Sequence, residues 1–312
     1  MIRGNLLLII LLMFINWGCE STNHNTNKPE QSSFVKYSVK SYKHTMQILD
    51  SLGFTQENFK KGMKTIPRIL ITHISPRWGR DANKIPPSVK KSIFLRLLAS
   101  EALIANEEIE KERTKLLSIV NKLGQGLVTR EESKWLRNSA KKYKLIKSDS
   151  DILSLDKVKQ LVQRVDIVPP SLIATQGAVE SGWGTSRFAV EGNALFGQWS
   201  FSNKALKPKN QRKHLGNYGL ATFDTPLDSI RSYILNLNTH PAYREFRIRR
   251  MLLRKTKTPL TGMALIDTLK SYSERREEYI NDLICIIKSN NLEWLDFTKL
   301  SNGKPVIIHP EE

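Results

Sequence analysis

One carboxylate, Glu180, closes an apolar run that opens on Pro169-Pro170, and Ser181-Gly182-Trp183-Gly184 follow it at once. Prolines suit the first positions of a helix, where a missing N–H leaves no gap. Leu172, Thr175 and Val179 recur at helical spacing, so a helix is predicted from Pro169 to about Glu180. A carboxylate on the last turn meets the negative end of the helix dipole, and Trp183 and Phe196 nearby can take water away from it. Both effects raise its pKa. A carboxyl that keeps its proton near neutrality is what a general acid requires. From spacing alone, the plainer alternative is a surface glutamate before a turn, with the glycines at 182 and 184 only stopping the helix.

Four strings in order carry a resemblance. They are Glu180-Ser181-Gly182-Trp183-Gly184-Thr185-Ser186, Gly192-Asn193-Ala194-Leu195-Phe196-Gly197-Gln198-Trp199, Asn236-Leu237-Asn238-Thr239-His240-Pro241-Ala242-Tyr243 and Tyr272-Ser273-Glu274-Arg275. Together they resemble the Bax-type branch of the glucosaminidase family, bacterial cell-wall hydrolases related to the peptidoglycan-cleaving domain of the flagellar rod-assembly protein. A looser resemblance extends upstream through the region from Pro86 to Leu145. The resemblance implies a mainly α (α+β), lysozyme-like fold and cleavage of the β-1,4 bond after N-acetylglucosamine in peptidoglycan, with Glu180 as the catalytic acid. It also implies that Tyr272 is the active-site tyrosine, orienting a water or the substrate acetamido group; a tyrosine packed in the core is the alternative. Trp183, Asn193, Phe196 and Trp199 are expected to contact substrate, with burial the commoner use of such aromatics.

Glycoside hydrolysis ordinarily pairs two carboxylates, yet no Asp or Glu occurs from Gly192 to Phe223. Glu191, Asp224 and Asp228 are the nearest candidates. Asp228 is better explained by Thr225-Pro226-Leu227-Asp228, a capped helix start, and Glu191 by simple solvation. Two schemes stay open: Glu180 with a water held by Tyr272, or attack by the substrate's own 2-acetamido oxygen. A catalytically silent peptidoglycan-binding or scaffolding lipoprotein is the reading that the missing acid favours. In place of acids the same region carries Lys204, Lys207, Lys209, Arg212, Lys213 and His214. These form either a solvated loop or a grip for carboxylates on the glycan strand.

The elements that must position these residues follow from periodicity. In a helical extension over 86–150, Phe94, Leu98, Ala102, Ala105 and Ile109 line one face, Gly124 and Gly126 break the helix, and Thr129-Arg130-Glu131-Glu132 caps the next. A catalytic domain over 151–300 holds the helix to Glu180 and a small β-hairpin lobe near 198–223. Its helix from Pro226 to Asn238 buries Leu227, Ile230, Ile234 and Leu237, and a helix pair follows near 262–271 and 276–289. Residues 301–312 read as a polar tail.

Residues 1–19 read as an export signal, with Arg3, an apolar run from Leu6 to Ile15, and Trp17-Gly18-Cys19 at its end. The run is too short to cross a bilayer. Its Gly-Cys ending suggests a lipoprotein acylated at Cys19 and held on a membrane of the cell envelope, facing the periplasm or the outer surface. A simply cleaved signal and an uncleaved anchor are the alternatives. Residues 20–85 comprise a flexible tether followed by an unassigned segment. Net charge is +19, from 49 Lys and Arg against 30 Asp and Glu. That balance favours polyanions, and export sets nucleic acid aside in favour of peptidoglycan and the envelope surface. The histidines show no ligand spacing and no phosphate-binding loop occurs, so neither metal nor cofactor is expected. Cys285 is expected in the core, without a disulfide, and the chain is expected to be monomeric.

Overall fold

The computed structural model describes residues 34–200, 202, 205–208 and 218–311. The segment read as an export signal, Cys19, the expected tether of Glu20 to Ser33 and most of the basic run after Phe201 lie outside them. In chain order the elements are β1 (Val35–Val39), α1 (Tyr42–Ser51), α2 (Gln56–Lys61), β2 (Thr65–Ile66), β3 (Ile69–Ile71), α3 (Pro76–Asp81), α4 (Pro87–Gly124), α5 (Arg130–Lys142), α6 (Leu155–Arg164), α7 (Pro170–Ser181), α8 (Arg187–Gly192), β4 (Trp199–Ser200), β5 (Gly219–Leu220), α9 (Pro226–Thr239), α10 (Arg244–Lys255), α11 (Gly262–Leu265), α12 (Glu277–Ser289), β6 (Lys299–Leu300) and β7 (Val306–Pro310). The chain is mainly α and lysozyme-like.

Helix α7 begins at Pro170 as the prolines predict, but it is not one-sided: every residue from Pro170 to Ala178 is buried. A helix buried on all sides belongs inside a domain. It packs on α4, α12 and α11. It approaches α4 closely at Gly177, where an added Cβ would stand 2.6 Å from a Leu98 methyl. Helix α4 is likewise buried on all faces from Ser92 to Asn106, whereas beyond that only Leu116 and Ile119 are buried. At 1.5 Å per residue its 38 residues span roughly 57 Å. Its first half threads the main core, and its second half joins α5 and α6 in a separate cluster around Leu116, Ile119, Leu136, Tyr143 and Leu161. The predicted capping box is present, Thr129 and Glu132 exchanging hydrogen bonds at the head of α5.

The segment read as a polar tail is a strand. β7 is the middle of a parallel sheet, pairing β1 from Val35↔Val306 and β3 from Ile69↔Val306. Val306 and Ile308 are buried and Ile307 only half-buried, a period of two that overall polarity hides. β1, α1, β2 and β3 of the unassigned segment therefore belong to the same folded body, with Leu49, Phe54, Ile66 and Ile69 in the core. Cys285 is a further correction. The buried stripe of α12 is Tyr279, Ile280, Leu283 and Ile287, and Cys285 falls outside it, exposed. The expected lobe is the antiparallel pair β4 with β5, extended by a bridge from Leu206 to Leu220. In α9 the buried stripe contains Leu227, Ile230, Ile234 and Leu237 as predicted, with Tyr233 and Asn238 beside them.

Within α4, Glu101 is fully buried, its Oε1 accepting the Ile71 N–H at 2.9 Å. Burial pushes its carboxyl up to about 8, against the pull of the Ile71 N–H and the Arg231 charge, with Asp228 adding to the rise. Since its pKa is higher folded than unfolded, the proton-linked stability is whole below the ordinary glutamate range and declines as pH rises toward 8. Glu101→Gln is expected to be neutral near pH 4 and to stabilise by at most about 3 kcal/mol at pH 7. Urea melts at the two pH values measure the difference.

Candidate active site

Glu180 lies on the last turn of α7, and the chain behind it turns through three consecutive left-handed residues: Gly182 at φ 60°, Trp183 at 62° and Gly184 at 76°. Glycine takes this region freely, whereas tryptophan at such a φ is uncommon and needs support. Several contacts supply it. The Trp183 N–H reaches Ala178 O at 2.9 Å, and Ser181 Oγ donates to Gly177 O and accepts the Gly184 N–H at 2.8 Å. Trp78 Nε1 donates to Trp183 O at 3.0 Å. The turn is thus fixed from both sides, and with it the direction of Glu180.

The Glu180 carboxyl is half-buried, and its Oε1 accepts the Tyr279 hydroxyl at 2.8 Å. That hydroxyl in turn accepts Gln176 Nε2 at 2.8 Å, and Gln176 Oε1 takes the hydroxyl of Tyr233. Gln176 and Tyr233 are fully buried. The relay Tyr233–Gln176–Tyr279 therefore presents one fixed hydroxyl to the carboxyl. The other oxygen, Oε2, lies beside the Gly197 backbone, 3.8 Å from where a Cβ there would sit. Burial raises the Glu180 pKa above its ordinary value, and the Tyr279 hydrogen bond and the Arg275 charge hold the rise back. Its charge in turn raises the pKa values of Tyr233, Tyr243, Tyr272 and Tyr279, which lie near it. Tyr279→Phe removes an interaction that favours the charged form. The basic limb of the pH–activity profile is then expected to move upward, with a loss of rate from poorer orientation; Tyr272→Phe leaves that limb in place.

Each residue predicted for the site has a definite place. Tyr272 stacks parallel to Tyr279, ring centres 5.9 Å apart at 2°, but its hydroxyl donates to Phe196 O at 3.0 Å. The tyrosine in contact with the acid is Tyr279, seven residues later. Phe196 is buried and stacked on Tyr233 at 4.1 Å, so it supports the relay from below and offers no open face. Trp183 turns away from Glu180, edge-on to Phe94 at 5.9 Å with Lys91 Nζ 5.0 Å from its ring centre. Asn193, expected to meet substrate, is a buried clamp. Its Oδ1 accepts the Ile74 N–H at 2.9 Å and its Nδ2 donates to Phe223 O and Asp224 O at 3.0 and 3.1 Å. With φ at 51° it also ends α8 in the left-handed region. Trp199 alone keeps an exposed face. It is 56% accessible on β4 and stacks on Tyr218 at 4.8 Å.

The candidate second acids do not join Glu180. Glu191 pairs with Arg187 at 3.0 Å, and Asp228 accepts from Thr225 and Arg231 at the head of α9. Among the described residues the charge that acts on Glu180 is the cation Arg275, and no cluster of three metal-ligating side chains occurs. Cys19 lies outside the described residues. Of the basic run, Lys207 is described, its carbonyl accepting from Arg187.

A buried helix that ends in a shielded glutamate, beside a small two-stranded lobe, defines a lysozyme-like hydrolase scaffold. The chain belongs to the Bax-type glucosaminidase family. The family model described as mannosyl-glycoprotein endo-beta-N-acetylglucosaminidase matches residues 155–292, from α6 to just past α12. The chain is similar to Protein bax of Escherichia coli (strain K12), 36% identical over 211 residues, covering 67% of this chain and 73% of that protein. No solved structure matches it significantly.

Proposed function

We propose that the protein is an envelope-anchored glycosidase that cleaves the β-1,4 bond after N-acetylglucosamine in peptidoglycan, with Glu180 as proton donor. The observation that carries this reading is the carboxyl of Glu180: half-buried, raised in pKa, held by Tyr279 through one oxygen and set beside Gly197 at the other. The protonated carboxyl gives its proton to the glycosidic oxygen as that bond breaks. The carboxylate left behind is stabilised by the Tyr279 O–H and the Arg275 charge. Positive charge then develops at the anomeric carbon. Attack by the substrate's 2-acetamido oxygen fits a lobe whose sequence carries no acid; attack by water is the other scheme. Glycan strands stripped of their N-acetyl groups are refractory under the first and cleaved under the second.

The test is digestion of purified sacculi with the full chain, followed by mass analysis of the released fragments. Fragments with reducing N-acetylglucosamine ends support the reading, and reducing N-acetylmuramic acid ends or intact strands refute it. The missing second acid favours one other reading, a silent wall-binding lipoprotein, which would sediment with sacculi and release nothing. The proposed anchor at Cys19 predicts palmitate labelling in cells that disappears in Cys19→Ser.

A further inference from the structure

A cavity of about 410 Å³ lies away from Glu180, between the three-stranded sheet and helices α3 and α4. Its wall is apolar, formed by residues such as Val39, Ile71, Phe94, Leu98 and Ile308. Its volume falls in the size range of ligand pockets, and its apolar wall offers packing contacts to an apolar occupant. Within the wall Glu101 is fully buried, its carboxyl pushed up to about 8, so this acid adds no full negative charge near neutrality; His73 lines the same space. The Oε2 of Glu101 has no hydrogen-bond partner, which marks one polar point in that lining.

The rim has a different character. Lys40, Arg77 and Lys84 stand there against Asp81 and Glu311. Lys84 pairs with Asp81 at 3.1 Å and Lys40 lies 3.8 Å from Glu311. Arg77, whose guanidinium donates to the Lys40 carbonyl, has no acidic partner among the described residues. An apolar chamber below a rim of net positive charge is complementary to an amphiphile with an acidic head, and it disfavours a cationic one.

We propose that this cavity binds a fatty acid, with its acyl chain inside and its carboxylate on Arg77. If each methylene takes about the 30 Å³ of a water molecule, the space holds roughly a dozen of them. The cavity also touches the turn behind Glu180. Trp78 and Phe94 line it, and the same two side chains hold Trp183 through the Trp78 hydrogen bond and the edge-on ring contact. An occupant therefore changes the surroundings of Trp78, which provides the readout.

The experiment titrates the full chain with dodecanoate below its micelle concentration and follows tryptophan fluorescence and melting temperature. Saturable one-to-one binding is expected, with a rise in melting temperature. Dodecanol is expected to bind several-fold more weakly. Arg77→Ala lowers the dodecanoate affinity to that of dodecanol and leaves dodecanol unchanged. Ile85→Trp, which fills the chamber from a half-buried rim position, abolishes both, its own melting curve showing that it folds. The proposal is overturned if dodecanoate does not saturate, if dodecyltrimethylammonium binds as tightly, or if Arg77→Ala leaves the dodecanoate affinity unaltered. None of these readouts involves glycan cleavage, so the outcome is independent of the proposed activity.

Discussion

Glu180→Gln is expected to lower the rate of glycan cleavage about a hundred- to ten-thousandfold, the usual contribution of a positioned general acid. The substitution keeps the shape of the side chain, and an amide oxygen can still accept the Tyr279 hydroxyl that now holds Oε1. Folding and sacculus binding are therefore expected to persist, and the loss falls on turnover alone. Under the proposed mechanism the wild-type rate requires the protonated carboxyl, so it is expected to decline as pH rises through the Glu180 pKa, which burial moves above the ordinary glutamate value. Release of reducing ends across a pH series measures both effects. Unchanged turnover in the variant would remove Glu180 from the chemistry.

The largest expected effect on stability lies at Asp166, in the loop that leads into α7. Its buried carboxylate receives Arg254 at 2.7 and 3.2 Å, with Arg113 at 3.5 Å and the fully buried Arg250 at 3.8 Å. Burial alone would raise its pKa, but Arg250, Arg254 and Arg113 together bring it below the usual value. Asp166→Asn leaves those guanidiniums without their anion, and removing one member of a buried charged group costs about 3–5 kcal/mol. The pH dependence has the opposite sign to that of Glu101. A depressed carboxylate contributes stability above its unfolded pKa and loses it as pH falls through the folded value. Urea melts should therefore show the variant far less stable at pH 7 and the gap narrowing in acid.

The sequence made Glu180 legible because everything that fixes its helix is local: prolines at the entrance, glycines at the exit, apolar spacing between. The stripe of α9 and the cap of α5 are legible for the same reason. Tyr279 is not, because what sets it apart from Tyr272 is the packing of α12 against α7, a contact between segments about a hundred residues apart. Asn193 shows the converse case. An amide in a family string suggests a sugar contact, but its partners at Ile74, Phe223 and Asp224 come from distant segments that periodicity cannot bring together. Helix α10 offers little to read, since two of its inward positions are arginines: Arg247, bonded to Leu237 O and His240 O, and Arg250. Buried cations break the apolar pattern from which helices are read. The sheet strands were obscured by length, two to five residues each among polar neighbours.

The position of β7 bears on biogenesis. Its partners in β1 lie about 270 positions earlier in the chain, so a ribosome delivers the keystone strand only after all the helices. Until then β1 and β3 present unsatisfied edges, a half-made sheet that chaperones can still grip. Deletion of β7 is expected to leave that condition permanent, an open sheet for proteases to attack.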